Sequence, residues 1–294
     1  EEKSTEVPIP DDMKAAVAEA RSKLMEEAAT GDEQLMEKFL GTGELTEAEI
    51  RRGLCERVVQ GDLAPAFCCS AYNNHGVKEV LDEVVDILPS PVDVHPIVGR
   101  ATNGGAEVPC KPDPAGPLAV MVFKTHSEQH LGELSMLRVF SGRLESGLEV
   151  TNASRNRTER IGTLYHLAGK ERIDTKFAIA GDIVAAVKLR ETHTGDTLTD
   201  KAHTLELPLP DFPAPVTAEA IHAKNKGEEE KMAQGLARLH EEDPTFIKHY
   251  ETSTRETLVM GMGDLHLEVM IDRLKRRFGV DVVLTRPHVP YRDS

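Results

Sequence analysis

The sequence predicts a multidomain chain with three folding styles in series: helices leading into a partial α/β unit, then an all-β barrel, then an α+β domain of βαββαβ order. Two proline-rich stretches, Pro89-Ser90-Pro91 and residues 207–215 (LPLPDFPAP), mark the cuts, because proline fixes φ and lacks the amide donor that a helix interior or central strand needs. Hydrophobic spacing changes at those cuts. It runs at three to four residues before the first, close to two between them, and mixes both periods after the second. Between the cuts, residues 131–150 (LGELSMLRVFSGRLESGLEV) read as strand, turn, strand, broken at Ser141-Gly142 and again at Ser146-Gly147. With 294 residues there is room for two or three domains.

Taken in order, the first expected helix covers residues 11–27, with Met13, Val17, Ala20 and Leu24 on one stripe after Pro10-Asp11. A second covers 32–40 and stops at Gly41. Thr46 with Glu49 three residues on forms a capping box for a third, to about residue 59. These helices are acidic and polar-faced, as an exposed appendage would be. Residues 63–69 (LAPAFCC) suit a buried strand, and a helix follows over 77–88 with Val77, Val80, Leu81, Val84 and Leu88 on one face. Strand, loop and helix make half of a parallel α/β unit, which needs neighbouring strands, so partner strands are expected to be missing from this chain. Barrel strands are expected at 118–124, through the 131–150 hairpin, where Leu134, Met136 and Arg138 face one way and Leu137 and Val139 the other, and at 160–167, 182–189 and 197–205. The last domain reads as strand 217–223, helix 227–242, strands 245–250 and 256–260, helix 263–278 and strand 280–284, a ferredoxin-like order.

A formal charge of −15 argues against a general nucleic-acid coat, since phosphate binding needs clustered cations. Two local clusters stand out: Arg155, Arg157 and Arg160 in one expected barrel loop with Lys170 and Arg172 nearby, and Arg273, Lys275, Arg276 and Arg277 at a helix end, where cations suit the helix dipole. Cys55, Cys68, Cys69 and Cys110 form no CxxC pair and are expected to be reduced, buried and small. No run approaches a membrane span, and EEKSTEVPIP is no secretory leader. His266 and Glu268 lack the HExxH spacing, so His266 is expected at a helix surface or domain contact rather than on a metal. Asn225-Lys226-Gly227-Glu228 imitates a guanine-specifying motif but ends in Glu and opens a helix after the second cut. Phe246 and Tyr250 are too few for an RNA-stacking sheet. No convergent set of nucleophile, base and carboxylate is present.

The 131–150 hairpin, residues 180–198 (AGDIVAAVKLRETHTGDTL) and residues 261–278 (GMGDLHLEVMIDRLKRRF) together resemble the translational GTPases, most closely elongation factor G, over nearly the whole chain from about Pro10 to Asp293. The resemblance implies that residues 1–62 are part of a helical insert of the GTPase domain, 63–94 its last strand and helix, 95–207 the domain II barrel and 216–294 the ferredoxin-like domain III. It implies an internal fragment. Ser70-Ala71 matches the last nucleotide motif, whose amides meet the guanine base, although Cys69 stands where glycine is usual. No GxxxxGK[ST] occurs, so GTP and Mg2+ are expected only in the full-length GTPase, no cofactor is expected for this chain alone, and this chain alone should not hydrolyse GTP. The implied partners are the ribosome, through small-subunit rRNA and ribosomal protein at Arg155, Arg157, Arg160 and Arg172, and guanine nucleotide through the missing core, with no membrane and no DNA, in the cytoplasm. His266 falls where the third domain meets the GTPase domain in the family. The implied role is coupling GTP hydrolysis to tRNA and mRNA translocation. Residues 124–131 (KTHSEQHL) lack the family's Asp-Pro, which leaves a ribosome-protection or elongation-factor-G-like paralogue as a second reading, and a nucleotide-free ribosome-binding scaffold as a third.

Overall fold

The protein, seen as a computed structural model, is described over residues 7–128, 132–169, 171–187 and 189–288. The expectations for the first six residues of the leader, for Leu131, for Lys170 and for positions 289–294 lie outside these. The chain divides into two units, Glu1–His95 and Pro96–Ser294.

In the first unit the helices are α1 (Lys14–Ala29), α2 (Glu33–Thr42), α3 (Glu47–Gln60) and α4 (Val77–Ile87). The capping box forms as the sequence dictates: Thr46 accepts from the Glu49 amide while the Glu49 carboxylate accepts from the Thr46 amide. Helix α2 is capped by the Asp32 side chain and runs through Gly41 to Thr42, because Gly43, at φ 74, takes the left-handed turn that ends it. Ala28, Ala29, Leu35, Leu45, Ile50 and Leu54 make the core.

The predicted stripe on α1 is not its buried face. Met13, Val17 and Leu24 are exposed, and only the last turn, Ala28 and Ala29, is buried. The reason is local: α1 meets α3 where a Cβ on Gly53 would stand 2.0 Å from the Ala28 carbonyl oxygen, and so short a bundle buries little beyond that crossing. Residues 63–69 form no strand, and Phe67, Cys68 and Cys69 are exposed, which corrects the expectation of buried cysteines for this pair. Without a neighbouring strand among the described residues to accept its amides, an apolar run has no reason to become sheet. The apolar face of α4 is uncovered likewise, with Leu81 61% exposed.

The second unit opens with β1 (Ile97–Ala101), β2 (Glu107–Cys110), β3 (Ala119–Glu128), β4 (Gly132–Ser141), β5 (Arg143–Glu145), β6 (Glu149–Asn152) and β7 (Arg157–Arg160). It continues with β8 (Leu164–Ala168), β9 (Glu171–Thr175), β10 (Phe177–Ile179), β11 (Ile183–Val187), β12 (Thr197–Thr199) and β13 (Leu205–Glu206). Eight strands pair antiparallel in the order β7-β6-β12-β3-β4-β11-β8-β9, beside a β10-β5 pair and a β13-β1-β2 sheet. Val150 near one edge, Leu164 near the other, and Val120, Leu137, Val139 and Val184 between them share one core, so the sheet curls around it. Alternation along β4 is as predicted: Leu137 and Val139 enter that core while Arg138 is exposed. The expected strand 160–167 is two strands, β7 and β8, broken at Gly162, where a Cβ would meet the Val187 carbonyl oxygen at 2.4 Å. The expected strand 197–205 likewise splits between two sheets. Strands β1, β2, β9 and β10 escaped the sequence reading.

The rest of the unit runs β14 (Thr217–Ala223), α5 (Glu229–Glu242), β15 (Ile247–Glu251), β16 (Glu256–Gly261), α6 (Asp264–Phe278) and β17 (Val282–Thr285), with sheet order β15-β16-β14-β17. The helices cover one face through Met232, Leu236, Leu239, Leu267, Met270 and Leu274. They approach closely at Gly235, where a Cβ would stand 2.5 Å from Leu274 Cδ1. Phe246 is fully buried there, so it offers no stacking surface.

Candidate functional site

Ser70 and Ala71 lie in a tight turn before α4. The Ser70 amide donates to the His75 carbonyl at 2.8 Å, the His75 amide returns to Ser70 at 3.1 Å, and Ser70 Oγ accepts from the Asn73 amide at 3.3 Å. Asn74 and Gly76 take left-handed conformations to close this turn, so the Ser70 amide is already committed and Ala71 is left exposed. Asn225 and Glu228 bond to each other at 3.1 Å, a self-satisfied turn at the start of α5.

The arginines fall on the rims of the large sheet rather than in one loop. Arg157 and Arg160 project from edge strand β7, Arg172 from the opposite edge β9, and Arg155 from the β6–β7 turn. Strand pairing is what separates them, because 160–167 is interrupted and the chain crosses the sheet between β7 and β9. Arg155 is held by Asp196, whose buried Oδ2 accepts from Arg155 Nε at 2.7 Å, from Asn152 Nδ2 at 2.9 Å and from the His193 amide at 2.9 Å. Three donors on one oxygen fix the turn 193–196 in place. On β7 itself, buried Glu159 accepts from the amides of Arg190 and Glu191.

That turn is also where the curled sheet meets the βαββαβ domain. His193 Nδ1 bonds the Glu241 carboxylate, and Thr194 Oγ1 donates to the Glu241 carbonyl at 3.1 Å. Beside them Arg277 grips Glu242 with two bonds of 2.6 and 2.7 Å, and Glu242 is almost fully buried. Burial, and then the neighbouring Glu241, push the Glu133 carboxyl above its ordinary range. Sequence reasoning missed this joint; its one local signal was the His-Thr-Gly-Asp turn at 193–196, which needs Gly195 at φ 95.

His266 sits within the last domain, half-buried at the start of α6. Its Nδ1 accepts from the Met262 amide at 3.0 Å, which places the proton of the neutral ring on Nε2, facing Asp243 Oδ2 at 3.1 Å. The ring meets Phe246 edge-on. Burial opposes ionisation of Asp243, but bonds from the Thr245 hydroxyl and amide and from His266 outweigh it and hold its carboxyl below the usual range. His266 thus ties the end of α5 to the start of α6. Among the described residues no group of His, Cys, Asp and Glu could hold a metal ion, and no helix is long and apolar enough to cross a membrane.

Residues 117–201 match the family Elongation factor G domain 2, and residues 212–286 match Elongation Factor G, domain III. The two occur in order, on the curled sheet and on the βαββαβ domain. The chain belongs to the elongation-factor-G-like proteins. A solved crystal structure of a protein from Thermus thermophilus aligns with 98% of the chain at 29% identity and a TM-score of 0.80. The chain spans 41% of that protein's length. In elongation-factor-G terms, the His193–Glu241 joint connects domain 2 to domain III, and the arginine rims belong to domain 2.

Proposed function

We propose that this chain supplies the ribosome-binding and coupling parts of an elongation-factor-G-like translation factor, acting in the cytoplasm, in which GTP hydrolysis is linked to tRNA and mRNA movement. The observation that carries the reading is the ordered pair of elongation factor G domain matches on one continuous fold. Arg157 and Arg160 on β7, Arg172 on β9, and Arg155 braced by Asp196 meet small-subunit rRNA phosphates and ribosomal protein in this reading, an attraction that salt weakens. GTP with Mg2+ supplies a hydrolysable phosphate bond to the whole factor. Ala71 beside Ser70 offers a backbone amide to the base, but no phosphate-cradling loop exists in this sequence, so the fit extends to the base alone. The joint through Glu241 carries movement between the two domains.

Co-sedimentation with ribosomes tests the proposal. The chain is expected to pellet with ribosomes at low salt and to release as salt rises. Arg157→Gln with Arg160→Gln should weaken binding about tenfold and flatten its salt dependence. A chain that stays in the supernatant at low salt would overturn it.

A further inference from the structure

A cleft of about 600 Å³ opens between β3 of domain 2 and the α5–α6 edge of domain III. Lys124 and His126 stand on one wall, and Arg273, Arg276 and Arg277 on the other. Of the two carboxylates in the wall, Glu242 is paired with Arg277 through two bonds, and Asp243 has its oxygens hydrogen-bonded by His266 and Thr245. Arg276 is shared with Asp272 across two exposed side chains, a pairing of little strength. Lys124 and Arg273 have no carboxylate within ion-pair distance among the described residues, although both project into the same cleft, and Arg273 reaches only the Met270 sulfur at 3.8 Å. Cations gathered on two facing walls repel one another unless something negative lies between them.

The geometry points to a binding site for a multi-phosphate anion, bridged between Lys124 on domain 2 and Arg273 on domain III. Two separated cations favour a ligand that carries at least two phosphate groups, and guanidinium suits phosphate through its fork of donors. The phosphates come either from an RNA backbone or from a free polyphosphate. Occupancy adds a charge bridge across the joint formed by His193 and Glu241, so binding stiffens one domain against the other. The site is separate from the arginine rims and does not depend on ribosome binding.

Calorimetric titration of the full chain with inorganic tripolyphosphate tests it, with a short uridine oligonucleotide as competitor. Saturable binding is expected, weakened by salt and accompanied by a raised melting temperature. Lys124→Gln with Arg273→Gln should lower affinity at least about tenfold. Both side chains are exposed, so the melting temperature of the ligand-free variant serves as its folding control. Arg157→Gln with Arg160→Gln should bind tripolyphosphate as the parent does, which separates this site from the proposed ribosome contact. Competition by the oligonucleotide assigns the site to RNA backbone; tripolyphosphate binding without competition assigns it to free polyphosphate. Absence of saturable binding, or equal affinity in the Lys124/Arg273 variant, overturns the proposal.

Discussion

Among single residues, His266 is bonded through both ring nitrogens. It accepts the Met262 amide with one nitrogen and faces Asp243 with the other, so His266→Ala should remove both bonds and destabilise the chain by about 1–2 kcal/mol, read from its urea midpoint. Asp243 makes the effect pH-dependent. Its folded-state carboxyl ionises below the ordinary range, so its contribution is complete above about pH 4 and is lost as pH falls through the lower folded value. Asp243→Asn should therefore be less stable than the parent at pH 7, and the difference should shrink on acid titration. The sequence expects His266 at a helix surface or domain contact, whereas the structure packs it within the last domain between the end of α5 and the start of α6. The sequence could not supply Asp243, which lies 23 residues earlier and is brought in only by the packing of α5 on α6. Asp196 and Glu241 were invisible for the same reason: carboxylates are common, and only their donors, recruited from other strands, give them a role.

The elements differ in how locally they are specified. Helix α3 starts at Thr46 because a Thr and a Glu three residues apart satisfy each other's amides, a condition complete within four residues. Thr46→Ala should cost about 1 kcal/mol, measured by thermal unfolding of the helical unit. The pairing is acid-sensitive, since hydrogen bonding to Lys38 and to Thr46 holds the Glu49 carboxyl down to about 2. The α1–α3 crossing is different in kind. A Cβ on Gly53 would overlap the Ala28 carbonyl, which is backbone and cannot swing away, so Gly53→Ala should cost about 1–3 kcal/mol or more despite its better helix propensity. The same unfolding experiment checks it, with an unchanged midpoint as the refuting result. Strand expectations failed where pairing decided the outcome. Residues 63–69 have the apolar composition of a buried strand but no neighbour to bond, and 160–167 breaks at Gly162 because the Val187 carbonyl passes too near.

Across the second unit, one joint links two differently built domains. Glu241 gives its carboxylate to His193 and its carbonyl to Thr194, both in the turn that Asp196 holds. Glu241→Gln combined with Thr194→Val should loosen the joint without touching either core. Scanning calorimetry should then resolve two transitions where the parent shows more concerted unfolding; a variant that melts as the parent does would place the coupling elsewhere.

Features that are periodic or closed within a few residues were legible in the sequence alone: the capping box, the alternation along β4, the βαββαβ order, and the motifs by which the chain resembles elongation factor G. These follow from chain geometry, in which side chains two, three or four residues apart share a face whatever surrounds them. Packing and strand pairing across the chain set the rest: α1 buries its last turn rather than its stripe, Arg172 stands on the opposite edge strand from Arg157, and Lys124 and Arg273 face one cleft. Those outcomes depend on which distant segments supply a pairing strand, a carbonyl or a countercharge, and no local pattern carries that information.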